Sequence, residues 1–197
     1  MTSEWLTAIA SIGTFIVIAS TAIAALIQLR HMRSSNQITA LNEFRETLES
    51  EYYRDAFERV QQTLPDLLED PRIRREIVAG KALVTIKELV PVRALTNVFE
   101  LCGAFIKRGI IDPDVVCDLW GDVVLRNWEL VAPLVVNLRA ARQTDAIWEN
   151  FEHLAAVCSD FQKAHPHGTV TKRFARETMP PVWPEVVAAI KQHEDKR

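Results

Sequence analysis

The sequence predicts an all-α protein, with an N-terminal transmembrane helix followed by a small helical bundle domain. Trp5 to Leu29 form a run of 25 residues without a charged side chain. As a helix this run would be about 37 Å long, enough to cross a hydrocarbon core about 30 Å thick. Beyond it, apolar residues recur at three- and four-residue steps, and no long stretch alternates as a strand does. We therefore divide the chain into a transmembrane anchor (1–29), a juxtamembrane connecting helix (30–64), a helical domain (65–165) and a Pro-containing tail with a short C-terminal helix (166–197).

Two other interpretations of the N-terminal run are a cleaved signal peptide and a buried soluble helix. A signal peptide begins with basic residues and has a shorter apolar core, whereas this chain begins Met-Thr-Ser-Glu, although Ala22–Ala24 fits a cleavage site. A soluble helix would carry a polar stripe, but the hydroxyl residues and Gly13 are spread over several faces. Ser and Thr are tolerated in a span because their hydroxyls can bond a backbone carbonyl one turn earlier. A retained anchor is the favoured interpretation.

The basic residues after the run predict its orientation. Arg30, His31 and Arg33 follow Leu29 directly and form the predicted membrane border, whereas no Lys or Arg precedes the run. Because basic residues mark the cytoplasmic end of a span, we expect the N-terminus outside and residues 30–197 in the cytoplasm. The lipid bilayer is then the first partner. The three cysteines are dispersed, form no CxxC pair and are predicted to pack in the core, which fits a reducing compartment: Cys102, Cys117 and Cys158.

Small residues within the span predict a second, weaker feature. Several pairs lie four residues apart, such as Ala10/Thr14, Ser20/Ala24 and Thr21/Ala25. Such spacing lets helix backbones approach closely, so self-association through the span is one interpretation. The other is that Ala, Ser and Thr are simply common in spans, and the full GxxxG motif is absent.

The connecting segment predicts one amphipathic helix that ends at Pro65. Its apolar positions recur at helical spacing: Ile38, Leu41, Phe44, Leu48, Tyr52, Ala56, Val60 and Leu64. This seam suits either packing on the following domain or a short coiled coil with another copy. We favour packing within the chain, because a sustained coiled coil needs several clean heptads.

Proline and glycine divide the remainder into further helices. Asp70-Pro71 and Asp112-Pro113 are start signals, each an N-cap residue followed by proline at the first helical position. A long helix is predicted from Leu83 to Gly109, with a break or kink at Pro91. Thr144 or Asp145 is expected to cap a helix that begins at Ala146, and a last short helix is expected from Pro184. The aromatic residues that recur on these helices predict the core: Trp120, Trp128, Trp148, Phe99, Phe105, Phe151 and Phe161.

Candidate chemistry is sparse. Asp114, Asp118 and Asp122 are four apart and share one helix face, which is either a solvated acidic face or a contact for a partner. The spacing lacks the glycine and terminal Glu of a calcium-binding loop. His165-Pro-His167 lies at a helix end without a second cluster, and Glu100 and Glu129 suit structural ion pairs with Arg126 and Arg93. We assign no catalytic, cofactor-binding or metal-binding residue and expect no cofactor.

A resemblance can be stated from three stretches: "IASIGTFIVIASTAIAALIQLRHMRSSNQITALNEF", "FIKRGIIDPDVVCDLWGDVVLRNWELVAPLV" and "IWENFEHLA". Together they resemble a bacterial family of uncharacterised single-pass membrane proteins, a domain of unknown function, from about Trp5 to Phe161. The resemblance implies an N-terminal span, a cytoplasmic helical domain and a bacterial inner membrane. It implies no activity and no site residue.

The expected function is therefore coarse. We expect a single-pass inner-membrane protein whose cytoplasmic helical domain is an interaction or assembly module with an unidentified protein partner. The alternative is a membrane-tethered enzyme whose active site is formed by residues distant in sequence. Nucleic acid is not an expected partner, because residues 65–197 carry 18 Lys and Arg against 19 Asp and Glu.

Overall fold

The structure, a computed structural model, is all-α, as the sequence predicts. It describes residues 3–81, 85–169 and 183–186, with residues 188 and 192. Residues Met1–Pro166 form one compact unit and residues His167–Arg197 a second. The described part of the first unit contains six α-helices, a short 3₁₀ turn and no strand: α1 (Ser3–Glu49), α2 (Glu51–Glu69), α3 (Pro71–Val78), the 3₁₀ turn (Lys87–Leu89), α4 (Val90–Lys107), α5 (Pro113–Arg142) and α6 (Glu149–Ala164).

The first helix, α1, is a single helix of 47 residues that combines two environments. Its apolar N-terminal part is exposed, whereas Ala40, Leu41, Phe44 and Leu48 pack on the bundle. The seam therefore packs within the chain from Leu41 onward, whereas its first residue, Ile38, is exposed. The hydroxyls of Ser20 and Thr21 donate to backbone carbonyls four residues earlier, which is the arrangement expected of hydroxyl residues in a span.

The connecting segment is not one helix that ends at Pro65, so that prediction is wrong in two respects. A break at Ser50 separates α1 from α2, because Ser50 has extended backbone and its hydroxyl accepts from the amide of Tyr53 at 3.2 Å. Next to the break one position of the seam changes, because Tyr53 is buried in place of Tyr52. The later positions Ala56, Val60 and Leu64 are buried as predicted. Pro65 lies inside α2, as Pro133 lies inside α5.

Both internal prolines are on the solvent side of their helices. A proline removes the amide that would bond the carbonyl four residues earlier. The residues that carry those carbonyls, Gln61 and Glu129, are exposed, so water can satisfy the freed groups. The helices continue because buried residues on the opposite faces hold them, such as Leu64 in α2 and Leu134 in α5.

The two predicted Asp-Pro start signals are confirmed. The side chains of Asp70 and Asp112 accept from the amides of Arg72 and Asp114, and each caps a helix that begins with proline. The long helix predicted from Leu83 is wrong at its start: α4 begins at Val90, with Pro91 in its first turn rather than at an internal break. In the second unit, residues 184–186 are helical; most of the last predicted helix lies outside the described residues.

The helix predicted from Ala146 begins later, at Glu149. Thr144 does accept from the amide of Ala146 at 3.3 Å, but Trp148 then adopts a left-handed backbone with φ 52°. The side chain of Glu100 on α4 caps the start of α6 instead. It accepts from the amide of Phe151 at 2.9 Å and from Nδ2 of Asn150 at 2.7 Å. Glu100 is therefore a cap between helices, not the ion-pair partner of Arg126 that we expected.

The aromatic core is confirmed. Phe99 and Phe151 are fully buried and stack at 4.7 Å, and Trp128 meets Phe151 edge-on at 5.1 Å. Trp148 is buried, and Trp120, Trp128, Phe105 and Phe161 are partly buried against this core. Helices α4 and α6 approach closely at Gly103, where an added Cβ would overlap the backbone carbonyl of Asn150.

Candidate functional site

The exposed part of α1 is the most distinctive surface of the described chain. By length and composition α1 could cross a membrane, and none of its most apolar stretch is buried inside the structure. Large apolar side chains are exposed over several successive turns: Phe15, Ile16, Val17, Ile18, Ile23, Leu26 and Ile27. Exposure of these apolar side chains to water is energetically unfavourable. The segment Lys87–Lys107 passes the same test of length and composition, but it includes core residues such as Leu95 and Phe99.

The predicted membrane border lies at the junction of α1 and the bundle. Arg30, His31 and Arg33 are all exposed on α1. Nη2 of Arg33 donates a hydrogen bond to the backbone oxygen of Gly109 at 3.0 Å. The contact joins residues 76 positions apart, so no local pattern could have predicted it. It ties the border to the turn between α4 and α5, which we call the α4–α5 turn (Lys107–Asp112).

The α4–α5 turn has a defined geometry. Gly109 has φ +66°. Its amide donates to the carbonyl of Ile106 at 2.9 Å, and the amide of Ile110 donates to the carbonyl of Phe105 at 2.9 Å. These two bonds are those of a Schellman motif, in which glycine takes the left-handed position at a helix end. Ile111 is buried in the core, whereas Ile110 is 39% exposed. The turn is thus held from both sides, and Ile110 points to solvent from a fixed backbone.

The three aspartates proposed as a contact face are exposed and lie along α5. Oδ1 of Asp122 accepts from Nε2 of Gln162 on α6 at 2.6 Å. Asp114 follows the cap residue Asp112 in the first helical turn, where a carboxylate is favoured by the helix dipole. Asp118 also takes part in an interaction. Asp114 and Asp122 thus have structural explanations of their own.

Three of the cavities in the described part of the chain border the bundle. The first, about 260 Å³, lies between α1 and α4 and is lined by apolar residues that include Phe44, Leu101 and Phe105. The second, about 510 Å³, lies between α3 and α5, and the third is a groove of about 370 Å³ beside Ile38 and Trp120. The described lining of each cavity contains one carboxylate and no histidine: Glu43, Glu69 and Glu49. None of the three brings together the paired acids or bases that general acid–base catalysis needs.

The three cysteines are buried and close to one another, although they are distant in sequence. Sγ of Cys117 and Sγ of Cys158 are hydrogen-bonded at 2.7 Å. This bond lowers the pKa of Cys117 and, together with burial, raises the pKa of Cys158. Burial raises the pKa of Cys102 to about 12. A buried thiol with a raised pKa is a poor nucleophile, so Cys102 and Cys158 suit the predicted packing role.

A buried polar pair connects α2 to α5. The hydroxyl of Tyr53 and Oδ1 of Asn127 are buried, and neither has a hydrogen-bond partner among the described residues. Nδ2 of Asn127 donates to the backbone of Val123 at 2.7 Å. Burial raises the pKa of Tyr53, and the nearby Asn127 side chain partly opposes that rise.

No cluster of three His, Cys, Asp or Glu side chains within the described residues could hold a metal ion. The ring of His165 lies 4.4 Å from that of Phe161, and its Nδ1 is 2.9 Å from the Phe161 carbonyl oxygen. His165 is thus explained by the end of α6. His167 begins the second unit, and it also takes part in an interaction.

Comparison with known proteins gives one match. No curated protein and no solved structure matches the chain. A family model described as DUF4760, a domain of unknown function, matches residues 15–158, nearly three quarters of the chain. The match begins inside the apolar part of α1 and continues through the bundle into α6. The resemblance to an uncharacterised family is thereby confirmed, and the chain belongs to the DUF4760 family.

Proposed function

We propose that this protein is a single-pass bacterial inner-membrane protein whose cytoplasmic helical domain is an interaction module at the membrane surface. The exposed apolar part of α1 supports the anchor. Arg30 and Arg33 on one side of the run, with no basic residue on the other, support a cytoplasmic position for residues 30–197.

The observation that carries the proposal is the continuity of α1. Phe44 is only 7% exposed and belongs to the same unbroken helix as the exposed run that ends at Leu29. Phe44 lies about 22 Å beyond Leu29 along the helix axis. The bundle therefore packs on the stem of α1, which we define as residues 40–48, and this would hold it near the bilayer without a flexible linker.

Reporter fusion tests the topology. A reporter after Arg197 that is active only in the cytoplasm should be active, and one that needs export should be inactive. The same pair fused at the N-terminus should give the reverse. Export-dependent activity at the C-terminus would overturn the orientation, and a mature chain that begins near Ala25 would indicate a signal peptide instead.

Membrane fractionation tests the anchor with a matched control. Ile18 and Val136 are both exposed, at 63% and 64%, but only Ile18 lies in the apolar run. Ile18→Arg should release much of the protein from the membrane fraction, because a central charge opposes insertion by about 3 kcal/mol. Val136→Arg should leave the distribution unchanged. Equal behaviour of the two variants would contradict the anchor.

The bundle favours an interaction module over the enzymatic alternative. The three cavities lack converging acids and bases in their described linings, whereas Ile38 and Leu119 are exposed on either side of the groove between α1 and α5. Exposed apolar residues in one groove are typical of a contact surface. The acidic face of α5 is the second part of the proposed surface and would suit a partner with basic residues.

Affinity capture from gently solubilised membranes tests the acidic face. The triple variant Asp114→Asn, Asp118→Asn and Asp122→Asn should lose a partner that the unmodified chain captures. The matched control removes three exposed charges from α2: Glu51→Gln, Asp55→Asn and Glu58→Gln. If both triple variants capture the same partner as well as the original chain, the acidic face is not the contact.

We also propose that the span contributes to self-association. The hydroxyls of Ser20 and Thr21 are hydrogen-bonded within α1. The helix faces that carry the small residues can therefore pack against another helix without leaving these hydroxyl donors unpaired. Thr21→Leu with Ala25→Leu should reduce cross-linked dimer in membranes, whereas Ile18→Leu should not. An unchanged dimer yield would contradict this contact.

A further inference from the structure

The α4–α5 turn lies at the height where the anchor leaves the membrane. Arg33 is four residues beyond Leu29, which corresponds to about 6 Å along the helix axis. The headgroup layer extends about 5–7 Å beyond the hydrocarbon core. Long side chains on a helix lean toward its N-terminus, so a guanidinium that reaches Gly109 lies on the membrane side of its own Cα. The bond between Arg33 and Gly109 thus brings the turn to the level of the headgroups.

The chain directions agree with this position. The ring centroids of Phe99, in the middle of α4, and Phe44 are 6.1 Å apart, whereas Gly109, just after α4, contacts Arg33. Because Arg33 is nearer the apolar run than Phe44 is, α4 runs toward the proposed membrane. α5 then leads away again, since Trp120 contacts the same Phe44 at 5.2 Å. The α4–α5 turn is therefore the end of this helical hairpin that faces the bilayer.

The exposed side chains of the turn suit a lipid surface. Lys107 and Arg108 are exposed, and Ile110 exposes 39% of its surface from the rigid Schellman motif. Arg30 and Arg33 add two exposed charges on the neighbouring helix. Within the described part of the chain, no carboxylate lies within 4.0 Å of Arg30, Arg33 or Arg108.

The acidic groups at this end do not cancel that charge. Glu149 pairs with Lys107 at 3.1 Å, which removes Lys107 from the available set. Asp112 accepts from the amide of Asp114 at 3.0 Å as the cap of α5. Asp112 and Asp114 are then the remaining carboxylates of this end, against the three arginines. The balance at the border is positive, and an apolar side chain stands beside it.

We infer that the α4–α5 turn is a second membrane contact, in which Arg108, with Arg30 and Arg33, binds anionic phospholipid headgroups while Ile110 enters the interfacial layer. This inference rests on the proposed anchor. It adds a two-point attachment, which would fix the rotation of the bundle about the axis of α1. A single span alone would leave that rotation free.

The test places a polarity-sensitive dye at position 110 through Ile110→Cys in the full chain. The native thiols are buried, so the introduced thiol reacts selectively under native conditions. The control is Val136→Cys, which is exposed but about 34 Å farther along α5 than Pro113. Both proteins are placed in nanodiscs of phosphatidylcholine alone or of phosphatidylcholine with phosphatidylglycerol.

The dye at position 110 should shift to shorter wavelength and resist an aqueous quencher in the anionic nanodiscs, whereas the dye at position 136 should not respond. Adding Arg108→Gln should weaken the protection by about fivefold, the effect of one basic residue near an anionic surface. Arg54→Gln, an exposed change on α2, should have no effect. The quenching is measured on molecules that float with the lipid.

The outcomes separate this inference from the anchor. A chain that does not float with lipid would overturn the anchor and, with it, the two-point attachment. A chain that floats while the dye at position 110 stays as quenchable as that at position 136 would overturn the second contact alone. Protection that is equal in both lipid compositions, and insensitive to Arg108→Gln, would overturn the assignment to anionic headgroups.

Discussion

Phe44→Ala should strongly destabilise the bundle, because the stem of α1 is part of the core. Phe44 is 7% exposed, and its ring meets Phe99 at 6.1 Å and Trp120 at 5.2 Å, both edge-on. Truncation of a buried phenylalanine usually costs about 3–5 kcal/mol. Phe44 also lines the cavity between α1 and α4, which has a volume of about 260 Å³.

That cavity decides where in the range the loss should fall. A site that can collapse after truncation loses less than a rigid one. Neighbouring side chains already border empty space and can move toward the vacated ring position. We therefore expect a loss of about 3 kcal/mol, the lower end of the range. This is still a large share of the 5–15 kcal/mol that stabilises a typical domain.

Urea unfolding of residues 31–197, followed by helical circular dichroism, measures the effect. This fragment lacks the apolar run, keeps the whole stem that packs on the bundle and should remain soluble. Ile38→Ala is the matched control, because Ile38 lies on the same helix and is 58% exposed. It should cost less than about 1 kcal/mol, as exposed positions do. A Phe44→Ala loss equal to that of the control would refute the stem as part of the core.

Three further predictions concern contacts inside the bundle. Gly103→Ala should force α4 away from the Asn150 backbone and lower the unfolding midpoint; an unchanged midpoint would contradict the close approach. Glu100→Gln should cost about 1–3 kcal/mol, because the Asn150 side chain and the Phe151 amide donate to different carboxylate oxygens, and glutamine replaces one of these oxygens with an NH2 donor. Burial raises the pKa of Cys102 from 9.0 to about 12, so the folded state favours the neutral thiol. The contribution of this thiol to the free energy of unfolding should therefore be complete below pH 9.0 and lost as the pH rises to about 12. Thiol labelling of the native chain at neutral pH should be slow, and rapid labelling would contradict the burial.

The parts of the fold that the sequence predicts are those with a local physical cause. Asp70 and Asp112 cap helices because an acceptor side chain stands just before a proline with a suitable φ. The break at Ser50 also has a local signal, an N-cap residue whose hydroxyl serves the amide of Tyr53. The apolar seam masked it, since Phe44, Leu48, Ala56, Val60 and Leu64 keep four-residue steps on both sides of the break. Pro65 was misleading because a proline on a solvated face does not have to end a helix.

The contacts between residues that are distant in sequence are not indicated by any local sequence pattern. Arg33 and Gly109 are 76 residues apart, and Glu100 and Phe151 are 51 apart. Each contact depends on the path of the chain through the bundle, which side-chain periodicity does not specify. The predicted border residues rest on charge alone, and the hydrogen bond from Arg33 to the α4–α5 turn follows only from the fold. The same holds for Cys117 and Cys158, which are 41 residues apart.

The unbroken path of α1 links these findings. A helix that leaves the bilayer and enters a core passes the orientation of its span directly to the bundle, because helices and packed cores deform little. A linker at residues 30–35 would have freed the bundle, but α1 continues through this segment and Arg33 is bonded to the α4–α5 turn. The family match, which begins at residue 15 within the apolar run, likewise treats that part of the helix and the bundle as one unit. If α1 is the anchor that we propose, a partner of the acidic face on α5 would meet a surface with a fixed height and a fixed direction above the membrane.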